Sequence, residues 1–190
     1  MVLGMNKYLK NNNFFYNNLV ENLIFRIQDR KTGSFSFYVD WPYDESGESF
    51  KFKYKTISTE EIDYHGECSA NEYGQSQIFI LFCGTKRKTD IPSLANVLAH
   101  EIHHLTQTGD YKIKKRFNKP DYDDDTFEYF CEPYEVEAFL VGFRAESYYS
   151  GNSIEECIDN YLLDYIKYAY ITIEQSEYVK DLWLNCFKGE

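Results

Sequence analysis

No stretch of the 190-residue chain approaches the roughly 18 consecutive apolar side chains of a membrane-spanning helix, and Met1 to Lys10 hold no apolar segment of signal-peptide length. The expected compartment is therefore the cytoplasm, of the producing cell or of a host, with no membrane partner. Cysteine pairs are missing too: Cys68, Cys83, Cys131, Cys157 and Cys186 are an odd, widely spaced set without a C-x-x-C. That speaks against a disulfide framework and against a cysteine zinc knuckle, and leaves most of the thiols as small buried hydrophobes. Positive charge is short, 20 Lys+Arg against 31 Asp+Glu for a net −11. The one basic run, Lys112 to Lys119, is followed at once by Asp121, Asp123, Asp124 and Asp125, so direct nucleic-acid binding is not expected. Glycine and proline number only 10 and 4, no linker or repeat divides the chain, and a single domain over residues 1–190 is the simplest organisation. What is abundant is aromatic: 18 Tyr and 15 Phe supply the apolar area of a real core.

Periodicity divides the chain in two. Phe14, Phe15, Leu19, Leu23, Ile24 and Ile27 recur near 3.6 residues and predict a helix over Asn13 to Gln28. Phe35, Phe37, Val39 and Trp41, then Phe50, Phe52 and Tyr54, alternate with polar residues around a turn at Pro42 to Ser49 and predict a hairpin. A loop containing Gly66 and Gly74 leads to an apolar strand from Gln77 to Cys83. The period then becomes helical, from a cap at Asp90 and Pro92 through Leu94, Val97, Leu98, Ile102 and Leu105 to Gly109. After a polar loop to Asp125, helices are predicted from Glu132-Pro133, from the capping box at Ser153 to Glu156, and through Val179, Leu182, Trp183 and Phe187. The fold class is α+β: a small antiparallel or mixed sheet packed on the central helix, with further C-terminal helices.

That central helix contains His100-Glu101-Ile102-His103-His104, an H-E-x-x-H. On a helix His100 and His104 stand at i and i+4 on one face, where both imidazoles reach a single Zn²⁺. Glu101, about 100° round the axis, can serve as general base towards a water on that ion without being a ligand. Such a pair hydrolyses an amide without a covalent intermediate. The alternative is coincidence, but two imidazoles and a carboxylate beside an apolar stripe are costly without partners. His103 cannot share the ion with both neighbours and is expected to pack or to support the site.

Catalytic zinc generally takes three protein ligands. No histidine follows His104, which removes every H-E-x-x-H…H arrangement. Asp110 lies where metzincins place their last ligand, but Gln107 stands where they need glycine, and Met1 and Met5, the only methionines, exclude a Met-turn. The helix beginning Glu132-Pro133-Tyr134-Glu135-Val136-Glu137-Ala138-Phe139 offers carboxylates, and Cys68, in Gly66-Glu67-Cys68-Ser69, offers a thiolate.

With that helix the chain resembles the gluzincins, in which H-E-x-x-H is followed by a glutamate three residues before an alanine. The resemblance covers the region from Gln77 to Gly142. It implies a zincin-like fold, one zinc per chain held by His100, His104 and Glu135, Glu101 as general base, and hydrolysis of a peptide or protein substrate. Glu137 would then lie outside the ligand set. The wording of the second helix is similar to small metallopeptidases of bacteriophage genomes. Gluzincins often carry Asp or Asn four residues after the ligand to orient a zinc histidine; here that residue is Phe139, so another group must supply the hydrogen bond. A second resemblance, to peptide deformylase, would use Cys68 as third ligand, although the Gln-ending motif of that family is missing and 86 residues follow His104. A third reading keeps the fold and zinc for stability or binding, with catalysis lost. Two further expectations concern the cleft. Gln77 to Phe82 is either the sheet edge on which a peptide is laid or an internal core strand. A tyrosine is expected to steady the oxyanion, with Tyr134 the least arbitrary choice.

Overall fold

Alternation builds the sheet. In Ser49–Ile57 (β2), Phe50, Phe52 and Tyr54 are buried while Lys51, Lys53 and Lys55 point to the opposite face. Ser34–Asp40 (β1) pairs with it antiparallel, Phe37 opposite Phe52 and Val39 opposite Phe50, so the hairpin forms as its pattern requires. A computed structural model describes residues 18–28, 34–40, 49–57, 64–70, 76–83, 90–107 and 126–188; the hairpin turn, Phe14, Phe15, Gly109, Asp110, the basic run and the Asp121 to Asp125 cluster lie outside them.

Two strands complete a four-stranded mixed sheet of order β1-β2-β4-β3. Ser76–Cys83 (β4) runs parallel to β2, and Tyr64–Ala70 (β3) runs antiparallel to β4. The apolar run is thus the internal strand, paired on both sides, and the edge beside it is β3. This strand stands where the sequence predicts a loop. The segment Tyr-His-Gly-Glu-Cys-Ser-Ala has no apolar alternation, because an edge strand need not bury a continuous face.

A helix over residues 18–28 (α1) buries Leu19, Val20, Leu23, Ile24 and Ile27 in the same core as Phe50, Phe52, Tyr54, Ile78 and Ile80. Ile91–Thr106 (α2) adds Leu94, Ala95, Leu98, Ala99 and Ile102 to it. Asp90 caps this helix, accepting the Ser93 N–H at 3.2 Å. It stops at Thr106, where Gln107 takes an extended backbone (φ −71°, ψ 125°).

Four helices follow: Thr126–Cys131 (α3), Pro133–Ser150 (α4), Ile154–Lys167 (α5) and Ile173–Lys188 (α6). Only α3 was not anticipated. The Ser153 box opens α5 as expected, with Ser153 Oγ accepting the Glu156 N–H and the Glu156 carboxylate accepting the Ser153 N–H. These helices enclose a second core of Phe130, Phe139, Phe143, Cys157, Leu162 and Trp183. Trp183 lies flat on Phe139 at 4.7 Å between centroids and donates its Nε1–H to the Phe130 carbonyl at 2.9 Å.

α4 serves both cores, giving Val141 and Ala145 to the first and Val136, Phe139, Leu140 and Phe143 to the second. That accounts for its apolar character all round. It lies tightly against α2 at Gly142, where a Cβ would collide with the Asn96 side chain, and Asn96 Nδ2 donates to Glu146 Oε2 at 2.5 Å. Glycine there lets two backbones meet, and the amide–carboxylate pair sets their register. Among the described residues no helix is long and apolar enough to cross a membrane.

Candidate metal centre

The C-terminal half of α2 meets the N-terminal turn of α4, and the charges suit both helix ends. His103 and His104 lie in the last turn of α2, where the carbonyl end of the dipole favours cations; Glu135 lies in the first turn of α4, where free N–H groups favour an anion. His100 Nε2 is 3.1 Å from His104 Nε2, 3.2 Å from Glu135 Oε2, and His104 Nε2 is 3.6 Å from the same oxygen. Two ligands of a tetrahedral zinc with bonds near 2.0–2.1 Å stand about 3.3 Å apart. The three ligand atoms thus have the spacing that one such ion requires, and among the described residues they are the set that could hold one.

Burial says the same. Glu135 is completely buried and His100 is 6% exposed. Neither carboxylate oxygen of Glu135 accepts a well-formed hydrogen bond among the described residues; the imidazole nitrogens are close in distance but not placed as hydrogen-bond donors. A buried carboxylate without donors is expensive, and a cation between it and the two imidazoles removes the deficit. His104 and Glu135 reach a partial substitute by sharing opposite charges. Burial opposes the charge on Glu135, but the imidazoles of His100 and His104 outweigh it and hold the carboxyl at about 2. Burial likewise opposes charge on His104, yet Glu135 and Glu101 push it up to about 9. His100 is nearer Glu135 but more deeply buried, and its pKa is lowered, first by burial and then by the neighbouring His104 and His103. Of the two imidazoles, His104 is the one whose charged form the carboxylates favour.

The linkage has a definite sign. His104 is raised above its unfolded value, so its contribution to the stability of the metal-free fold is complete below about 6.5 and lost as pH rises through about 9. To ligate, it must give that proton up. Zinc binding at pH 7 is therefore expected to release at least about one proton, and apparent affinity to rise at least about tenfold per pH unit between pH ~7 and ~9. Titration calorimetry in two buffers of different ionisation enthalpy reads the proton count, and a pH-independent affinity would contradict this assignment.

Glu101 sits one residue round the helix from His100, beneath the edge strand. Burial pushes its carboxyl up to about 8, opposed by His104, assisted by Glu135 and Glu67, and opposed again by the backbone N–H of Cys68, which donates to it. A Cβ on Gly66 would stand 2.5 Å from Glu101 Oε1 and 2.7 Å from Val97 Cγ1. Glycine is required there so that β3 can cross directly over the carboxylate.

The expected ligands are thus brought together, and Cys68 is not among them. Cys68 packs against the first core, and its backbone, not its thiol, is the part that addresses the site. Phe139, standing where gluzincins place a polar residue, sets its ring against His100 at 4.7 Å and 67°, so the second core backs this ligand through the Phe139–Trp183 stack. The Tyr134 ring stands 6.3 Å from that of His104, and its hydroxyl is pushed up by burial and by the neighbouring Glu132. The tyrosine deep in the site is Tyr129 on α3, held well above its usual value by burial and by the Glu135 carboxylate. His103 is buried, with the Glu137 carboxylate 3.7 Å from its Nε2. Gln107, which the sequence marks only as a departure from the metzincin glycine, sets its Oε1 2.8 Å from His104 Nδ1 and donates its Nε2–H to the Tyr134 carbonyl at 2.7 Å. Comparison with protein-family models, with curated proteins and with solved structures found no match for the chain.

Proposed function

We propose that the chain is a zinc-dependent peptidase with a zincin-like fold of the gluzincin kind. The observation that carries this reading is the buried triangle of His100, His104 and Glu135, with Glu101 beside it under an edge strand. Zinc, when bound there, polarises a scissile carbonyl and lowers the pKa of water towards ~7. The chain's own residues supply the remainder. Glu101, whose Oε1 lies under Gly66 of β3, would take a proton from the attacking water and pass it to the departing amine nitrogen. The Cys68 N–H steadies that carboxylate in its charged form. Among the described residues β3 has β4 on one side only, so an extended peptide can add along its other edge by backbone hydrogen bonds. The bare Cα of Gly66 keeps that edge close to Glu101. Phe139 and Tyr129 line the inner wall with aromatic surface, which excludes water and strengthens every charge interaction inside.

The test is hydrolysis of a diverse peptide library by zinc-loaded protein, read by mass spectrometry. Cleavage is expected to vanish with a chelator and return with added zinc. Absence of cleavage throughout the library at saturating zinc would count against a peptidase.

A further inference from the structure

The centre needs a group to orient His104, and the position that usually supplies one is occupied by Phe139, a hydrocarbon ring. We infer that Gln107 is the positioning residue of the metal centre, fixing which nitrogen of His104 faces the ion and tying that imidazole to the backbone that carries Glu135. The inference rests on the zinc reading above and deepens it.

The argument runs from a carbonyl to a ring. The backbone oxygen of Tyr134 can only accept, so the Gln107 atom 2.7 Å from it must be the amide nitrogen. That settles the amide orientation, which distance alone would leave ambiguous. The other end of the amide, 2.8 Å from His104 Nδ1, is then the oxygen. An oxygen there requires the hydrogen on Nδ1, so in the neutral imidazole that ligates, the lone pair is on Nε2, the atom 3.1 Å from His100 Nε2 and 3.6 Å from Glu135 Oε2. Both contacts depend on where α2 stops. With Gln107 at the C-cap in an extended conformation, the side chain can turn back across the helix end to His104, three residues earlier, and still reach α4. The residue it grips on α4 is the one immediately before Glu135. One side chain therefore links two of the three ligands, one by tautomer and one by backbone position, which is the work that outer partners of metal ligands perform.

The test compares zinc affinity, by chelator competition, with the ¹⁵N and ring-proton resonances of His104 in zinc-loaded protein. Gln107→Met keeps length and shape and removes both polar atoms. Affinity is expected to fall ~10- to 100-fold, with loss of the slowly exchanging Nδ1–H signal. Gln107→Ala carries the same expectation should the first variant be unstable. Gln107→Glu keeps an acceptor for Nδ1–H but cannot donate to Tyr134, so the signal and most of the affinity should return. Affinity within threefold of wild type in Gln107→Met, or equal losses in the Met and Glu variants with no recovery of the Nδ1–H signal, would overturn the inference and leave Gln107 a helix-end brace. Failure of the wild type to bind zinc at all would instead overturn the metal reading itself, and is told apart because it precedes any comparison of variants.

Discussion

Glu101→Gln is expected to abolish cleavage while leaving the zinc in place. General-base assistance of this kind contributes ~10² to 10⁴ in rate, and kcat should fall by that order. The substitution is isosteric, which matters at this position. β3 crosses so close that a Cβ on Gly66 would already touch the carboxylate, and a side chain of another shape would move the strand. The glutamine oxygen can still accept the Cys68 N–H, and no metal ligand is removed, so zinc content should remain that of wild type. The metal-free variant carries a second expectation of opposite direction. Burial holds the Glu101 carboxyl at about 8 in the fold against 4.5 as its ordinary value. Its ionisation therefore penalises the fold increasingly as pH rises from about 4.5 to about 8, the reverse of a salt-bridged carboxylate. Glu101→Gln removes the penalty, and thermal unfolding at neutral pH without metal should shift upward. Dead activity with unchanged zinc and equal or greater stability identifies a catalytic group. Surviving hydrolysis would refute the proposed role.

Glu135→Gln should have the larger effect on the metal. It replaces an anionic ligand by a neutral amide in a group to which, among the described residues, no second carboxylate belongs, and affinity should fall by more than the ~100-fold that loss of an outer hydrogen bond produces. The same change removes the anion that keeps His104 charged in the metal-free protein. The imidazole should then titrate well below its present value, and the variant should be weakest in acid, where a buried cation has lost its partner. Cys68→Ser, by contrast, should retain full zinc, since Cys68 addresses the site through its backbone N–H and not its thiol. Measuring zinc in both variants side by side separates the two families that the sequence resembles. Metal lost with Cys68 and kept without Glu135 would favour the deformylase arrangement.

The pattern of what could be read in advance has physical causes. His100, Glu101 and His104 were legible because helical periodicity fixes their relative directions, and α2 announces itself by Asp90, Pro92 and an apolar stripe. Glu135 was reachable through its place before Ala138 on a second helix, and its complete burial came only with the structure. β3 was not legible, because its edge position and its passage over a carboxylate select Gly66, Glu67 and Ser69 in place of an apolar alternation. For β4 the sequence leaves edge and internal strand open, and the pairing with β2 and β3, with Ile78 and Ile80 buried, makes it internal. Gln107 and Tyr129 escaped because each acts through a tertiary contact: one depends on a helix ending at Thr106, the other on a six-residue helix with no long apolar period.

Anomalous diffraction from zinc-supplied crystals of the wild-type protein, collected above and below the zinc edge, tests the central claim most directly. One peak per chain among His100 Nε2, His104 Nε2 and a Glu135 oxygen is the expected result. A peak at Cys68 in place of Glu135, or no peak at the H-E-x-x-H face with zinc in excess, would contradict it.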